Sequence, residues 1–534
     1  MATPAKRATR ASTRKAAKST EETLVDNSEE ILENENQEEE ADSSSDGDDV
    51  NDGDDNNAGD EDESEEEEEE QSDKEDSSEE GDGDEQVRVK FTTRFSKYRV
   101  TDTSIAVPVS LRRSGLSEVV NHLLGNAPEN RVVFDFLVVD KDTLIRKSLE
   151  FHIRDLKLSL EDVLHLEYAP ALMEPELSAE DKWPDWLSCV DGRRDVLNED
   201  GNVSATIAVA GSYDGSITFC ELAKSAKVNE FQNLAKVQAH KAAVKAVVQF
   251  GDNLLASSGK DGLVKLWSAT HSSSGETSTL NCSQIANCEG HQRSVEAVDG
   301  VQIGEFAVLG SGGWDNAACL WKVALNDDAS EAPEEEDDSM GRKKRKGIRG
   351  KATTALKTVT PAAVFQGHTD NVSAVAWAGR DAPSSLFTGS WDRSIRAWDV
   401  VREVCTIKLN GNKVVTSISH NAMSNLVATG HADHQVRLWD SRVTGEAIVK
   451  LSLKSHEAWV TSVQWCPTNA NLLATTSQDR TIKLWDVRST IPLYTLKQHS
   501  NKVFGVSWDA TGSLLWSAGA DSMLRAFRFS QDEE

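Results

Sequence analysis

The chain has 534 residues, a formal net charge of −33 and seven cysteines. This length favours several domains over one small core. The cysteines show neither CxxC pairs nor His/Cys ligand spacing, so we expect reduced, small hydrophobic side chains and no zinc site of the chain's own. No run approaches the ~20 apolar residues of a membrane-spanning helix, and the N-terminus lacks an apolar signal region. We expect a soluble intracellular protein with no membrane partner.

Residues 1–86 carry most of the charge. Residues 1–20 hold six Lys/Arg and residues 21–86 hold 35 Asp/Glu against one Lys, which leaves the rest of the chain at a net −5. Such a segment repels itself and has little apolar surface to bury, so we predict a disordered tail. Its role stays open between a solvating tail without a dedicated partner and an electrostatic lure for basic proteins.

Residues 87–170 have the pattern of a small domain. VRVKFTTRF alternates as a strand, and a second strand is predicted around 105–111. Apolar residues then repeat along one face of a helix that ends at Gly125, namely Leu116, Val119, Val120, Leu123 and Leu124. Strands at 132–139, 144–145 and 163–168, with a helical turn or two at 148–156, complete the order β-β-α-β-β-turn-β. This is the order of a ubiquitin-like β-grasp fold.

Residues 171–184 are predicted to be an exposed linker, because they combine Pro175 and Pro184 with acidic residues. Residues 185–530 repeat one unit, most legible as LATTSQDRTIKLWD at 473–486. An apolar run and a few small residues lead to a turn Asp, and a second run ends in Trp. The turn Asp recurs seven times, at Asp214, Asp261, Asp315, Asp392, Asp433, Asp479 and Asp521.

Most gaps between these residues lie near the ~40–45-residue period of WD40 blades, each a four-stranded sheet that must stack on its neighbours. The repeat therefore resembles the WD40 family, and we count a seven-bladed β-propeller. The resemblance implies a buried hydrogen-bond chain from turn Asp to an opening His, to a strand hydroxyl, to the Trp indole. Four blades hold all four members: His240, Ser257, Asp261 and Trp267; His291, Ser311, Asp315 and Trp321; His368, Thr388, Asp392 and Trp398; His456, Thr475, Asp479 and Trp485. Their repetition favours a structural role over catalysis or metal binding.

Three irregularities interrupt the repeat. Blade five has Asn412 where the His is expected, and blade one lacks both the Trp and a clear opening His. Too few residues follow Phe527 to form another strand, so a piece of 165–190 is predicted to complete blade seven. A gap of 77 residues between blades three and four contains a charged insertion at about 325–361. Its basic run, Arg342, Lys343, Lys344, Arg345 and Lys346, is typical of a nuclear-localisation signal or of an RNA phosphate contact.

Two segments of residues 87–170, which we call the head, carry a more specific resemblance. VPVSLRRSGLSEVVNHLLG at 107–125 and FDFLV at 134–138 look like the ubiquitin-like NLE-type domain of the WD repeat-containing protein 12 family of ribosome biogenesis factors. A β-grasp head before a seven-bladed propeller is that family's layout, whereas the related Notchless protein carries eight blades. The expected fold class is therefore mainly β, with a disordered acidic tail.

The resemblance implies a function and a site. Family members form a complex with Pescadillo and the block-of-proliferation protein on precursors of the 60S subunit, needed for pre-rRNA processing. The AAA ATPase midasin removes them from the particle by binding the head, where a glutamate of the head completes the coordination of midasin's Mg²⁺. Glu161 matches that glutamate. Two alternatives stay open: Asp162 could supply the ligand instead, or Glu161 could be an ordinary solvated acidic residue of a turn. The resemblance also implies a location in nucleus, nucleolus and nucleoplasm.

Other functional classes account for fewer features of the sequence. The sequence has no Walker A, GxSxG, HExxH or dinucleotide-binding motif, so no enzyme, cofactor or small-molecule substrate is expected. Trp439-Asp440-Ser441-Arg442 and Trp485-Asp486-Val487-Arg488 resemble the WDxR boxes of cullin-4 ubiquitin-ligase receptors, which is the alternative function. An acidic-tailed histone chaperone explains the tail alone.

Overall fold

The computed structural model describes residues 85–197, 203–223, 231–251, 253–274, 277–325, 356–379, 384–442 and 449–529. These residues form two modules, a head and a ring of sheets. Within the described ranges, no helix is both long and apolar enough to cross a membrane. The acidic and basic segments of the predicted tail, except for its last two residues, lie outside these ranges.

The head is a five-stranded sheet with one main helix. Its strands run in the order β2-β1-β5-β3-β4, with β1 parallel to β5. The helices are α1 (Arg113–Leu124) and α2 (Leu149–Asp155), and short 3-10 turns lie at Ser96–Tyr98 and Pro128–Asn130. The strands are β1 (Gln86–Thr92), β2 (Ile105–Pro108), β3 (Phe134–Val138), β4 (Thr143–Leu144) and β5 (Val163–Pro170). This confirms the predicted β-grasp order.

Alternation along the strands builds the head core. Val87, Val89 and Phe91 are buried on one side of β1, as a period of two residues requires. Leu116 and Val120 of α1 pack on the same core. The helix ends because Gly125 adopts a left-handed backbone conformation, φ 71°, that residues with a Cβ rarely take.

The ring consists of seven sheets within the described residues, which confirms the seven-bladed propeller. In blades one to six the first strand along the chain lies innermost and faces the central channel; in blade seven the innermost strand is β32 (Val503–Trp508), and β6 (Glu176–Lys182) lies at the outer edge. The strands of blades one to three are β7 (Leu187–Leu197), β8 (Val203–Ser212), β9 (Ser216–Ala223) and β10 (Gln232–Gln238); β11 (Val244–Phe250), β12 (Leu254–Gly259), β13 (Val264–Ser274), β14 (Thr277–Cys288) and β18 (Lys357–Val359); and β15 (Val295–Ile303), β16 (Phe306–Gly313), β17 (Ala317–Ala324) and β19 (Ala363–Gln366).

Blades four to seven each have four strands. They are β20 (Val372–Trp377), β21 (Ser385–Ser390), β22 (Ser394–Asp399) and β23 (Val404–Asn410); β24 (Val415–Asn421), β25 (Leu426–His431), β26 (Gln435–Asp440) and β27 (Val449–Lys454); β28 (Val460–Trp465), β29 (Leu472–Ser477), β30 (Ile482–Asp486) and β31 (Tyr494–Leu496); and β32 (Val503–Trp508), β33 (Leu514–Gly519), β34 (Met523–Arg528) and β6 (Glu176–Lys182).

Strand β6 closes the ring. It pairs antiparallel with β34, from Glu176 opposite Arg528 to Lys182 opposite Met523. The prediction that a piece of 165–190 completes blade seven is therefore confirmed. The prediction of a linker over 171–184 needs correction, because half of that range is this strand. The sequence does not reveal the strand, because only Ala179 is fully buried and most of the other residues are polar.

The charged insertion also needs correction. It was placed between blades three and four, but it falls inside blade three, between β17 and β19. Part of it forms a strand, because β18 pairs in parallel with β14 at the outer edge of blade two. The local sequence does not reveal this pairing, since the partner strand lies about 70 residues earlier in the chain.

Candidate partner-binding sites

Four blades contain the complete chain of four side chains. In each, the distances from His Nδ1 to the turn Asp, from His Nε2 to the hydroxyl, and from the indole N–H to the same hydroxyl lie between 2.7 and 2.9 Å. The polarity is consistent along the chain: the indole donates to the hydroxyl oxygen, the hydroxyl donates to Nε2, and Nδ1–H donates to the carboxylate.

The charges of this network are fixed by its contacts. Burial by itself would raise the pKa of the Asp392 carboxyl, but hydrogen bonds from His368 and Ser394 outweigh it and hold the pKa well below its usual range. Burial lowers the pKa of His456 despite the nearby Asp479 carboxylate. In blade six the network therefore joins a charged Asp479 carboxylate to a neutral His456 imidazole.

A hydroxyl, an imidazole and a carboxylate in this order also form hydrolase triads. Here the hydroxyls of Ser257, Ser311, Thr388 and Thr475 belong to residues with no exposed surface. Each hydroxyl oxygen already accepts an indole N–H. A nucleophile needs access to its substrate, so the arrangement serves as a hydrogen-bonded clamp between strands.

In blade five, another His, which the sequence pattern does not indicate, takes the place of the missing opening His. His431, at the end of β25, lies 2.8 Å from Thr429 through Nε2 and 3.0 Å from the Val414 carbonyl through Nδ1. Thr429 accepts the indole N–H of Trp439 at 2.8 Å. The turn residue Asp433 pairs with Arg437 instead of a His. The available signal was a His at a position where the other blades carry Ser or Gly.

Blades one and seven use different contacts. In blade one, Asp214 accepts hydrogen bonds from Ser216 and lies 3.0 Å from Lys236, and these contacts outweigh burial and lower its pKa to about 2. In blade seven, His499 contacts Asp521 and Ser517, but Phe527 supplies no indole N–H. These irregular blades therefore hold their turns through polar contacts of their own.

Glu161 lies in the exposed turn before β5. Its backbone N–H donates to the Ser159 hydroxyl at 3.2 Å, while Leu158 and Leu160 pack against the head core. The side chains of Glu161 and Asp162 are both exposed, and neither forms an ion pair with the part of the chain that the structure describes. The turn thus presents an unengaged carboxylate on an anchored loop. Among the described residues there is no cluster of His, Cys, Asp and Glu able to hold a metal ion alone.

The head contacts the outer region of blade six. The Leu144 N–H donates to the Arg488 carbonyl at 3.1 Å. Arg146 donates to the carbonyls of Pro492 and Leu493 at 3.3 and 3.1 Å. Its charge is balanced by Asp135 at 3.6 Å. These hydrogen bonds fix the head against the propeller at one place.

This junction bears on the two WDxR boxes. Each box arginine pairs with its own aspartate at 2.6 Å, Arg442 with Asp440 and Arg488 with Asp486. Arg442 is exposed, whereas Arg488 is half-buried and its carbonyl contacts the head. The second box is therefore part of an internal junction. The basic run at 342–346 lies outside the described residues.

Comparisons with known proteins match both modules. The head matches the NLE (NUC135) domain over residues 87–153. The ring matches the WD domain, G-beta repeat, over residues 231–268, 359–399, 403–440, 448–486 and 490–528. The first three strands of blades one and three lie outside these matches, and blade one is also the least regular in sequence.

Curated relatives match over most of the chain. The chain is 37% identical to the "Ribosome biogenesis protein WDR12 homolog" of Chlamydomonas reinhardtii, covering 83% of this chain and 98% of that protein. It is 33% identical to the protein of the same name from Nematostella vectensis, over 82% and 98% of the two chains. For Drosophila pseudoobscura pseudoobscura the values are 30%, 83% and 95%.

The fold and the domain matches define a WD40-repeat protein with a ubiquitin-like head. Sequence identity then identifies the family. The chain belongs to the WDR12 family of ribosome biogenesis proteins.

Proposed function

We propose that the chain is a non-enzymatic assembly factor for the large (60S) ribosomal subunit. It acts in the nucleus, nucleolus and nucleoplasm, where it joins a Pescadillo-type and a block-of-proliferation-type protein in a complex needed for large-subunit rRNA maturation. The observation that carries this proposal is the match of head and propeller together to ribosome biogenesis proteins. A WD40 propeller alone would not support this function, because one fold serves many functions, so the match of the head adds to the argument.

In this proposal the head is the handle by which midasin removes the complex. Mg²⁺ prefers oxygen ligands in octahedral geometry and often takes one or two protein carboxylates. One carboxylate on an exposed, anchored turn can complete the coordination of an ion held by another protein. Glu161 meets this requirement because its side chain is exposed and has no cationic partner among the described residues.

The test replaces Glu161 by Ala and, as a matched control, Asp162 by Ala. Both residues are exposed in the same turn, so neither change should affect folding. We expect Glu161→Ala to abolish Mg²⁺-dependent binding of the head to midasin and to leave the complex on the particle. Asp162→Ala should leave both unchanged. Normal midasin binding and particle release by Glu161→Ala would refute the assignment.

The scaffold role is tested by affinity purification and depletion. The full chain should co-purify with Pescadillo, the block-of-proliferation protein and 60S precursors, and its depletion should cause large-subunit rRNA precursors to accumulate. Recovery of a cullin adaptor or of histones in place of these partners would favour the ligase or chaperone alternative.

Nuclear entry is assigned to the basic run Arg342, Lys343, Lys344, Arg345 and Lys346. Replacing all five by Ala should move a fluorescently tagged chain to the cytoplasm. A variant with the same number of Ala substitutions at acidic positions of the insertion is the control. An unchanged nuclear signal in the basic-run variant would contradict this assignment.

A further inference from the structure

One face of the propeller carries all seven turn Asp residues, and we call it the Asp-turn face. Each innermost strand begins at this face, because its first residue pairs with the end of the strand that leads into the turn. Val460 pairs with Ser477, and Val503 with Gly519, for example. The channel of the ring, with a volume of about 710 Å³, opens at the Asp-turn face.

Five aromatic side chains line this opening, and we call them the aromatic rim: Tyr213, Trp314, Trp391, Trp459 and Phe504. Three of them directly precede a turn Asp, and the other two lie at the start of an innermost strand. All five are only half-buried. The ring centres of Trp314 and Trp391 lie 5.2 Å apart, and those of Tyr213 and Phe504 lie 6.1 Å apart.

Polar contacts hold one side of the aromatic rim and leave the other side open. Glu296 accepts hydrogen bonds from the Trp314 indole and the Ser294 hydroxyl, both at 2.8 Å. The indole N–H groups of Trp391 and Trp459 have no acceptor within the described ranges, and Trp459 has no ring partner there. Trp and Tyr are enriched at interfaces, because they combine a large apolar ring with a polar tip.

The loops around the aromatic rim are basic. We consider the seven Asp turns and the segments that follow each opening His, or Asn412 in blade five. Their exposed cations are Lys241, Lys260, Arg293, Arg393, Lys413, Arg480 and Lys502, and none of them forms an ion pair within the described residues. Their exposed carboxylates are Asp214, Asp370 and Glu457, and Asp214 is already paired with Lys236. The carboxylate oxygens of the other turn Asp residues accept hydrogen bonds from within the propeller.

From this combination we propose that the Asp-turn face binds single-stranded RNA, with one or two unstacked bases on the aromatic rim and the phosphates on the surrounding cations. Single-strand binding surfaces join a basic track to aromatic side chains on which bases stack. Cations alone fit any polyanion, but the aromatic rim fits bases in particular. The inference rests on the proposed function, because a pre-ribosomal particle supplies the RNA.

The test measures the binding of the purified full chain to a fluorescent single-stranded RNA of roughly 12 nucleotides, within the site sizes of single-strand binders. Anisotropy is recorded at several salt concentrations between about 50 and 200 mM. An acidic peptide of equal net charge, unlabelled, serves as the competing polyanion.

Two variants separate the contributions of stacking and charge. Trp391→Ala/Trp459→Ala should weaken RNA binding at least about five-fold at fixed salt and leave the salt dependence unchanged. Lys260→Gln/Arg393→Asn/Arg480→Asn should reduce the slope of log affinity against log salt by about 2. Asn is chosen because Arg393 and Arg480 have φ of 68° and 70°, which Asn tolerates. The control Lys408→Gln/Lys450→Gln/Lys454→Gln removes three exposed cations from outer strands and should change neither quantity.

Three results would overturn the inference: no RNA binding by the full chain, equal binding by both variants and the control, or an acidic peptide that competes as well as RNA and depends equally on Trp391 and Trp459. The last result would assign the face to an acidic protein segment. Absence of RNA binding in a chain that still co-purifies with 60S precursors would contradict this inference and leave the proposed function intact. RNA binding through these residues in a chain that never meets the particle would do the reverse.

Discussion

A pair of equivalent substitutions can isolate the contribution of one buried indole bond. Ser311 in blade three and Ser517 in blade seven both have no exposed surface, and both contact an opening His through the hydroxyl, at 2.7 and 2.8 Å. The contacts of the two hydroxyls differ at the aromatic position. Ser311 also accepts the Trp321 indole N–H at 2.8 Å, whereas blade seven has Phe527 at the equivalent position.

Ser311→Ala therefore leaves two buried polar groups without partners, and Ser517→Ala leaves one. An orphaned buried donor or acceptor costs about 1–3 kcal/mol. The same oxygen atom is deleted in both variants, so the cavity and transfer contributions nearly cancel. We expect Ser311→Ala to lower the free energy of unfolding by about 1–2 kcal/mol more than Ser517→Ala.

Urea unfolding of the two variants gives the difference, and native-state hydrogen exchange assigns it to a blade. Protection should fall on β16 and β17 for Ser311→Ala and on β33 and β34 for Ser517→Ala. A Ser517→Ala variant that is as destabilised as Ser311→Ala would refute the claim that the indole bond stabilises the clamp. Ser311→Thr, which keeps the hydroxyl, is the control for the changed side chain.

Three further outcomes follow from the described contacts. Burial, the largest cause, lowers the pKa of His431 to about 4 from 6.5, so the unfolded chain binds more protons than the folded chain between these pH values. The free energy of unfolding should therefore fall by up to about 3 kcal/mol as the pH drops from above 6.5 toward 4. In urea unfolding, His431→Gln should remove that part of the decline. Arg146→Ala should increase hydrogen exchange at the Leu144 N–H, which donates across the junction, without lowering the stability of the head itself. The control Arg154→Ala removes an exposed ion pair with Glu150 and should change neither quantity. Gly192→Ala would place a Cβ 2.2 Å from the Trp516 ring, so it should lower the melting temperature by several degrees, and no measurable shift would contradict the packing of blade one on blade seven.

The repeat could be predicted from sequence because each blade carries its own local pattern. A turn Asp, a small-residue strand and a Trp lie within about a dozen residues, as at Thr475–Trp485, and their geometry is set by one hairpin. The head was predictable for the same reason, since its alternating strands and amphipathic helix are local features. Seven repetitions of a pattern also exclude a chance match at any one position.

Most of what could not be predicted depends on residues far apart in the chain. His431 is an exception: it bonds Thr429 two residues away, but it stands at a different position from the opening His of the other blades, so a search at the usual spacing misses it. Strand β18 joins blade two after crossing the sequence of blade three. Arg146 reaches carbonyls almost 350 residues away, and nothing in its local sequence indicates that contact.

The closing strand gives the head–propeller connection a mechanical consequence for the proposed function. Head strand β5 ends at Pro170 and the closing strand begins at Glu176, so only residues 171–175 separate the head from blade seven. If midasin pulls on the head through Glu161, the chain carries that force directly into the pairing of β6 with β34. The hydrogen bonds of Arg146 to blade six form a second, parallel connection that bears part of the load. Because β6 is the strand that closes the ring, extraction through the head acts on the one sheet whose strands come from both ends of the propeller sequence.

A cross-link between β6 and β34, for example through Ala179→Cys and Ala526→Cys, should therefore leave midasin binding unchanged and still permit release if the ring leaves the particle intact. Blocked release with normal binding would show instead that the ring opens during extraction.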